Sequence, residues 1–311
     1  MNKKLFIVIS LLTIALLTAC SNKDMDNKKK NSDQLSVYTT VYPLQYFTER
    51  IGGSHVDVKS VYPVGADEHT FEPTQKGMME LADSDLFFYI GLGLEGFVEN
   101  AEKTLKNEHV TMVATADAIT EDMFGEGHED EDHDHGDVDP HVWMSPILSD
   151  ALAYSIKEAL IEAAPEKKAD FEKNFEELRA DLLKLDRAFI DMASAAQTKT
   201  FFVSHAAFGY IAETYGLEQV AVAGLHSQTE PSQKQLASLV EYAKEQDVKY
   251  ILFEQNVSSK LTEVIQKEIG AESLMLHNLG VLTADDVKND EDYFTLMEYN
   301  IETLEQALNV K

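Results

Sequence analysis

A long stretch in the middle of the chain, residues 165–197, constrains the fold more than any other feature. It contains no glycine, and no proline after Pro165, so nothing in it interrupts a helix. Its spacing predicts one helix roughly 45 to 50 Å long, at about 1.5 Å per residue. A helix longer than a small domain most simply runs across two, and the apolar spacing does not keep the clean heptad of a coiled coil. The apolar side chains recur every three or four residues, at Phe171, Phe175, Leu178, Leu182, Leu185, Phe189 and Met192.

Short β-branched or aromatic runs alternate with amphipathic stretches on both sides of this helix. That alternation is typical of α/β units with parallel strands. We therefore predict an α/β fold of two lobes with mainly parallel sheets, residues 35–164 and 198–311, joined by the rigid helix of 165–197. The strands are predicted at 36–40, 56–61, 85–90, 110–113, 200–204, 219–223, 248–254 and 274–277.

The first 34 residues are interpreted as an export signal followed by a tether. Lys3 and Lys4 precede an apolar run from Leu5 to Leu17, which is too short to span a bilayer comfortably and is typical of a secretory signal peptide at 1–19. The sequence LTAC that ends at Cys20 resembles the lipobox of bacterial lipoproteins, in which the cysteine carries the lipid. An ordinary cysteine near a signal cut is the alternative. Residues 20–34 are polar and without periodicity, and we interpret them as a lipidated cysteine and a flexible tether.

Charge and cysteine content narrow the partners and the chemistry. Lys and Arg number 26 against 55 Asp and Glu, a formal net charge of -29 at pH 7 that repels phosphate backbones and gathers cations. This charge argues against nucleic acid as a partner. Because Cys20 is the only cysteine, a metal site in the folded part of this chain has to be built from His, Asp and Glu.

Three histidines stand where α/β folds build their sites. His69 lies in a loop after a predicted strand, His141 precedes a helical stretch at 147–163, and His205 follows the strand of 200–204. Open α/β sheets bind ligands beyond the carboxyl ends of their strands. Taken singly, each histidine is more often structural than a ligand, and the gaps between them are too wide for a local metal motif. Spacing alone does not show that the three side chains converge.

Six segments spread over nearly the whole mature chain carry a resemblance to a known family. They are TTVYPLQYFTERIGG, YPVGADEHTFEPTQ, DPHVWMSP, FFVSHAAFGY, EPSQKQL and YILFEQNVSSK. These segments resemble the zinc-binding lipoproteins of the ZnuA/AdcA type, which are cluster A-I extracytoplasmic receptors of ABC metal importers. The resemblance implies two α/β lobes joined by a rigid helix, with one metal in the cleft between the lobes. It implies His69 and His141 as ligands from the first lobe and His205 from the second.

The same resemblance implies a function. It points to a monomeric receptor, not an enzyme, that is anchored outside the cytoplasm through Cys20, captures Zn²⁺ as its transported ligand and delivers it to a membrane permease. Manganese receptors of the superfamily carry a carboxylate where His205 stands, and three imidazoles suit Zn²⁺ better than Mn²⁺. A manganese receptor is the alternative within the superfamily. A zinc hydrolase with three histidines and an adhesin are the alternatives from other classes, although no general base or substrate pocket emerges from the sequence.

The fourth metal ligand stays open. Members of this type often supply a carboxylate from a loop similar to NPLEGLT, and the matching stretch here, HNLGVLT, has Gly280 at that position. Glu68, a water molecule, or a displaced Asp285 or Asp286 are the alternatives. If solvent fills the position, Gly280→Glu is expected to tighten zinc binding. His277 is interpreted as a strand-end residue rather than a ligand.

A stretch rich in His and acidic residues at 121–139 has the composition of a disordered surface loop. The family often carries such a loop, which is thought to gather or sense metal. His128, His133 and His135 stand among carboxylates here. We predict weak, multiple zinc binding, because an unordered set of ligands loses chain entropy when it closes around an ion. A solvated acidic loop without a metal role is the alternative.

Overall fold

The computed structural model describes residues 34–124, 138–226, 231–255 and 260–310. The predicted signal peptide, Cys20 and the tether up to residue 33 lie outside the described residues, as do His128, His133 and His135. Within the described ranges, no helix is both long and apolar enough to cross a membrane.

The first half of the described chain forms a four-stranded parallel sheet with the order β2-β1-β3-β4. Its two central strands are buried along almost their whole length, as expected where helices cover both faces of a parallel sheet. The strands are β1 (Leu35–Thr39), β2 (Val56–Ser60), β3 (Leu86–Tyr89) and β4 (Thr111–Ala114). The helices of this half are α1 (Tyr42–Gly52), α2 (Gln75–Ala82), α3 (Val98–Leu105) and α4 (Pro146–Ala163).

The long predicted helix is present as α5 (Lys168–Ala195), shorter at both ends than the predicted 165–197. Pro165–Lys167 forms a 3-10 turn that leads into the helix, as is frequent at helix N-termini. At the other end the backbone becomes extended at Ala196. The apolar stripe is confirmed, since all seven of its predicted side chains are buried.

Helix α5 packs against both halves of the chain. Near its start, Asn174 donates to the carbonyl of Ile51 at 3.0 Å, and Asp181 pairs with Arg50 at 3.0 Å. Both partners belong to α1. Near its end, the ring of Phe189 stacks on that of Tyr215 with ring centres 5.1 Å apart.

The second half repeats the architecture with the strand order β6-β5-β7-β8, again all parallel. The strands are β5 (Thr200–His205), β6 (Glu218–Ala223), β7 (Tyr250–Phe253) and β8 (Glu272–Met275). The helices are α6 (Gly209–Tyr215), α7 (Gln233–Glu245), α8 (Lys260–Ile269), α9 (Ala284–Lys288) and α10 (Tyr293–Ala307). All eight predicted strands are present with ends within two residues of the prediction, so the predicted fold class is confirmed.

The last helix, α10, adds a second link between the halves that the sequence did not indicate. Tyr293 at its start is fully buried against Phe47 of α1, with ring centres 4.9 Å apart, and its hydroxyl donates to the carbonyl of Trp143. Farther along, Thr303 donates to the carbonyl of Met275 in β8. One continuous apolar core consequently includes side chains of both sheets, α5 and α10.

Candidate metal site

Loops at the carboxyl ends of the strands place three imidazoles together. His69 comes from the loop between β2 and α2, His141 precedes a 3-10 turn at Val142–Met144, and His205 is the last residue of β5. One ligating atom from each lies within 4.8 Å of those of the other two. The sequence located each of these histidines near the end of a strand or helix but did not show that they converge. The structure brings their ligating atoms together.

The ring spacing matches the requirement of one zinc ion. Zn–N bonds are about 2.0 to 2.1 Å, and a ring centre lies about 1.1 Å behind its nitrogen, so two imidazoles on a tetrahedral zinc have ring centres about 5.2 Å apart and nitrogens about 3.3 Å apart. The ring centre of His69 is 5.2 Å from those of both His141 and His205, which are 4.9 Å from each other. The two Nε2 atoms of His69 and His141 are 3.3 Å apart. A metal ion fits this cluster with little movement of the rings.

Carboxylates behind two of the rings set their orientation. The Nδ1 atom of His141 is 2.7 Å from Asp139 Oδ1, and that of His205 is 2.9 Å from Glu254 Oε2. Such hydrogen bonds direct the opposite nitrogen, Nε2, toward a metal and raise its basicity. The Nδ1 atom of His69 is buried and has no hydrogen-bond partner among the described residues, so its ring lacks this support.

The sequence analysis missed Glu254, although strand order explains its position. Strands β5 and β7 are central neighbours, and their parallel register pairs Val203 with Leu252. Two residues farther on, the same register places Glu254 beside His205. This is the point where the strand order reverses, which is the common ligand site of open α/β sheets. An acidic residue at the last position of the predicted strand 248–254 was the available signal.

The three imidazoles differ in how readily they bind a proton. Burial lowers the pKa of His69 to about 2, with further repulsion from His141 and His205, and burial also lowers the pKa of His141 despite Asp139. Burial acts in the same direction on His205, but its hydrogen bond to Glu254 and the charge of that carboxylate outweigh it and raise the pKa. Both partners of the His205 ring, Glu254 and the carbonyl of Leu225, are acceptors. A metal ion therefore has to displace a proton from His205.

Glu68 occupies the space beside Gly280. Its carboxylate is buried and accepts from Asn278 Nδ2 at 3.0 Å, and the same amide donates to Glu254. A Cβ atom at position 280 would lie 2.5 Å from Glu68 Oε1 and 2.7 Å from its Cδ. Burial, together with the nearby charge of Glu254, raises the pKa of Glu68 to about 7. The glycine and the glutamate thus share one space, so the predicted gain in zinc affinity for Gly280→Glu requires the Glu68 side chain to move aside.

The other acidic candidates for a fourth ligand, Asp285 and Asp286, both belong to helix α9. Asp286 caps α9 through Thr283 and lies 3.0 Å from His277 Nε2. His277 is buried after β8, and its backbone N–H donates to Asn300. Asp285 is exposed on the surface of α9. The interpretation of His277 as a strand-end residue agrees with this geometry.

A fourth histidine lies next to the cluster and was missed from the sequence. His226 follows β6, and its ring centre is 5.5 Å from that of His69, with the planes at 88°. Its position three residues beyond a predicted strand was the signal that could have revealed it. Four imidazoles therefore stand at the carboxyl edges of the two sheets.

Comparison with known proteins agrees with this architecture. Residues 37–307 match the family described as zinc-uptake complex component A periplasmic, so the chain belongs to the ZnuA family, and the resemblance seen in the sequence is confirmed. The zinc-binding lipoprotein AdcA of Streptococcus pneumoniae is 37% identical over 98% of this chain and 61% of its own length. The high-affinity zinc uptake system protein ZnuA of Bacillus subtilis is 36% identical over 95% of each chain.

A solved structure is similar in fold as well as sequence. The crystal structure of the Zn(II)-bound ZnuA-like domain of Streptococcus pneumoniae AdcA has a TM-score of 0.74 and 35% identity, covering 89% of this chain and 99% of that domain. The chain spans about 61% of the length of full AdcA.

Proposed function

We propose that this chain is an extracytoplasmic receptor that captures Zn²⁺ and delivers it to the permease of an ABC-type importer. The observation that carries the proposal is the cluster of three imidazoles at zinc spacing, located where the carboxyl edges of two sheets meet. Relatives named for zinc binding and zinc uptake support the choice of cargo. The net negative charge favours the approach of a cation.

The donor atoms favour zinc over manganese. Imidazole nitrogens suit Zn²⁺, whereas Mn²⁺ prefers carboxylate, carbonyl and water oxygens. His205, the position that carries a carboxylate in the resembling manganese receptors, here lies within the nitrogen cluster. We expect zinc to be bound at least about tenfold more tightly than manganese, in line with the Irving–Williams order. Competition titration of the purified protein measures this ratio.

Replacement of His69, His141 or His205 by Ala tests the ligand set. Each change should weaken zinc binding by more than about a hundredfold, because a site that loses an imidazole has to recruit water. Isothermal titration calorimetry measures the loss. His109→Ala is the matched control, since that imidazole is 74% exposed and lies before β4, at the opposite edge of the first sheet. A variant that binds zinc like the parent removes its residue from the site.

Zinc delivery is tested in cells. A strain that lacks this protein should grow poorly under zinc chelation, and the intact gene should restore growth. The His205→Ala gene should fail to do so at equal protein level, because its product folds without a complete site. Restored growth with that variant would contradict a role that depends on zinc capture.

Assay of the zinc-loaded protein for ester hydrolysis and CO₂ hydration separates a receptor from a hydrolase.

We further propose that Cys20 carries a lipid anchor after removal of residues 1–19, that residues 20–34 tether the protein, and that it acts as a monomer. The lipobox resemblance and the lipoprotein name of AdcA support the anchor. Labelling with a radioactive fatty acid should mark the parent, and Cys20→Ala should abolish the label. Label that survives this change would place the lipid elsewhere.

A further inference from the structure

We propose that His226 supplies the fourth ligand of the metal site, so that this chain binds its cargo through four imidazoles. The inference rests on the proposed zinc capture and extends it to the residue that completes the coordination. It assigns a role to a side chain for which the sequence motifs offered none.

The position of His226 is the first argument. Tetrahedral zinc requires ring centres about 5.2 Å apart, and His226 stands 5.5 Å from His69, the same range as the three distances within the cluster. Its half-buried ring meets His69 nearly at a right angle. His69 thus has three imidazole neighbours at zinc spacing.

The lack of a rival side chain at position 280 is the second argument. Gly280 has no donor atom, and the Glu68 carboxylate fills the adjacent space, bonded to Asn278. Zinc in a closed site takes four ligands, so the remaining position has to be filled by solvent or by another residue. Among the described residues, His226 is the imidazole that flanks the cluster without belonging to it.

The third argument is a hydrogen bond that metal binding has to break. The Nε2 atom of His205 is 3.1 Å from the carbonyl oxygen of Leu225, and it is the ring nitrogen not taken by Glu254. When zinc binds at Nε2, that hydrogen bond is lost, and the segment 224–226 is released from His205. Loss of that contact lets His226, whose ring centre is already 5.5 Å from that of His69, move toward the metal held by the other three rings. The loss of the hydrogen bond between His205 and Leu225 is therefore coupled to the binding of zinc by His226, because Leu225 and His226 are adjacent in the chain.

Four neutral imidazoles also have a consequence for selectivity. With no carboxylate on the metal, the site offers only borderline nitrogen donors, which disfavours Mn²⁺, Mg²⁺ and Ca²⁺ more strongly than a site with three nitrogens and one oxygen. His226→Asp should therefore narrow the preference for zinc over manganese, because it exchanges a nitrogen donor for an oxygen donor.

X-ray absorption at the zinc edge tests the inference on the unaltered protein loaded with one equivalent of zinc. The scattering should fit four imidazoles in the parent and in His109→Ala, and three imidazoles with one oxygen in His226→Ala. Zinc affinity should fall about tenfold or more in His226→Ala, measured by competition with a chelator. Co²⁺ in place of zinc should show an altered visible spectrum in the same variant, which reports the change in donor set without reference to affinity.

Two results overturn the inference. Three imidazoles in the parent, or identical zinc-edge and Co²⁺ spectra in the parent and His226→Ala, would leave the fourth position to solvent or Glu68. If His226→Ala does not fold, the spectra of His226→Gln and the number of imidazoles found in the parent decide instead whether His226 binds the zinc. Failure of the parent to bind one zinc tightly would instead overturn the proposed function.

Discussion

At the scale of single residues, the pair formed by Glu68 and Gly280 decides what substitutions the site tolerates. A side chain at position 280 would start 2.5 Å from a carboxylate oxygen, and Asn278 holds that carboxylate in place. Gly280→Ala should therefore lower stability by about 1 to 3 kcal/mol, the usual effect of overpacking a buried site. Thermal unfolding of the zinc-free protein measures the loss.

A double substitution of Glu68 and Gly280 is expected to restore zinc affinity that a single substitution loses. Gly280→Glu alone should weaken zinc binding, because the new side chain displaces Glu68 and distorts the loop that carries His69. The double variant Glu68→Ala, Gly280→Glu removes the clash and returns a carboxylate to the site, so its zinc affinity should exceed that of Gly280→Glu. Titration calorimetry of both variants decides the matter. Tighter binding by Gly280→Glu alone would mean that Glu68 moves away without loss.

Protonation of the site is also a property of single residues. Folding lowers the pKa of His69 and His141, so both stay neutral in mildly acidic solution, whereas His205 has a raised pKa and holds a proton there. Glu68, with a pKa raised to about 7, holds a second proton. Zinc binding should thus release one proton from His205 and up to one from Glu68. Affinity should weaken as the pH falls through these raised values, because protons compete for the site.

Proton counting separates this site from three independent imidazoles. In the double variant Glu68→Gln, His226→Ala at pH 5.5, zinc binding should release about one proton, since His205 is then the ligand whose pKa is raised. Three histidines with the ordinary pKa of about 6.5 would release nearly three. Calorimetry in two buffers of different ionisation enthalpy gives the number. A release near three would contradict the low pKa of His69 and His141.

At the scale of elements, helix α5 and the continuous core predict that the two halves unfold as one cooperative unit. Phe171 near its start and Phe189 near its end are both fully buried. Phe171→Ala and Phe189→Ala should each lower stability by about 3 to 5 kcal/mol. Each variant should show a single calorimetric unfolding transition at a lower temperature than the parent, because the helix and the core connect both sheets.

A surface position on the same helix provides the control. Leu183 is 54% exposed, and Leu183→Ala should change stability by about 0.5 kcal/mol or less. If Phe171→Ala and Phe189→Ala instead shifted two separate transitions, the halves would unfold independently. The helix would then connect the lobes without coupling them.

At the scale of the whole molecule, Trp143 reports on the meeting of the two halves. It is the only tryptophan, it is fully buried, and its ring centre is 5.3 Å from that of His141. Its indole N–H donates to the carbonyl of Asn278 in the second half. Zinc at His141 places a charge beside the indole, so tryptophan fluorescence should change with one equivalent of metal.

Deletion of residues 127–136 separates this site from the His-rich stretch. The deletion variant should keep the one-equivalent fluorescence response and bind less zinc in total, because His128, His133 and His135 are predicted to bind weakly. Equilibrium dialysis gives the total, and replacement of the three histidines by Asn in the full chain is the matched control. Loss of the Trp143 response on deletion would make the stretch part of the tight site.

Local patterns in the sequence determined the elements of this protein. The seven apolar residues of α5 are spaced so that one face of any helix formed there is buried, and the strand runs lie within two residues of the observed strands. These features depend on neighbours a few residues apart, which is why periodicity reveals them. His69, His141 and His205 were predicted as candidates from their places beside strands and a helix, and the family resemblance implied them as ligands.

Only the tertiary structure decided how these parts meet. Glu254 stands behind His205 because β5 and β7 are neighbours, and His226 approaches His69 across two sheets. Glu68 fills the space that Gly280 leaves, although more than two hundred residues separate them in the chain. Such contacts depend on strand order and on the docking of the two halves, which many weak contacts determine together. No short window of sequence contains these long-range contacts, so His226 could be proposed as the fourth ligand only from the folded chain.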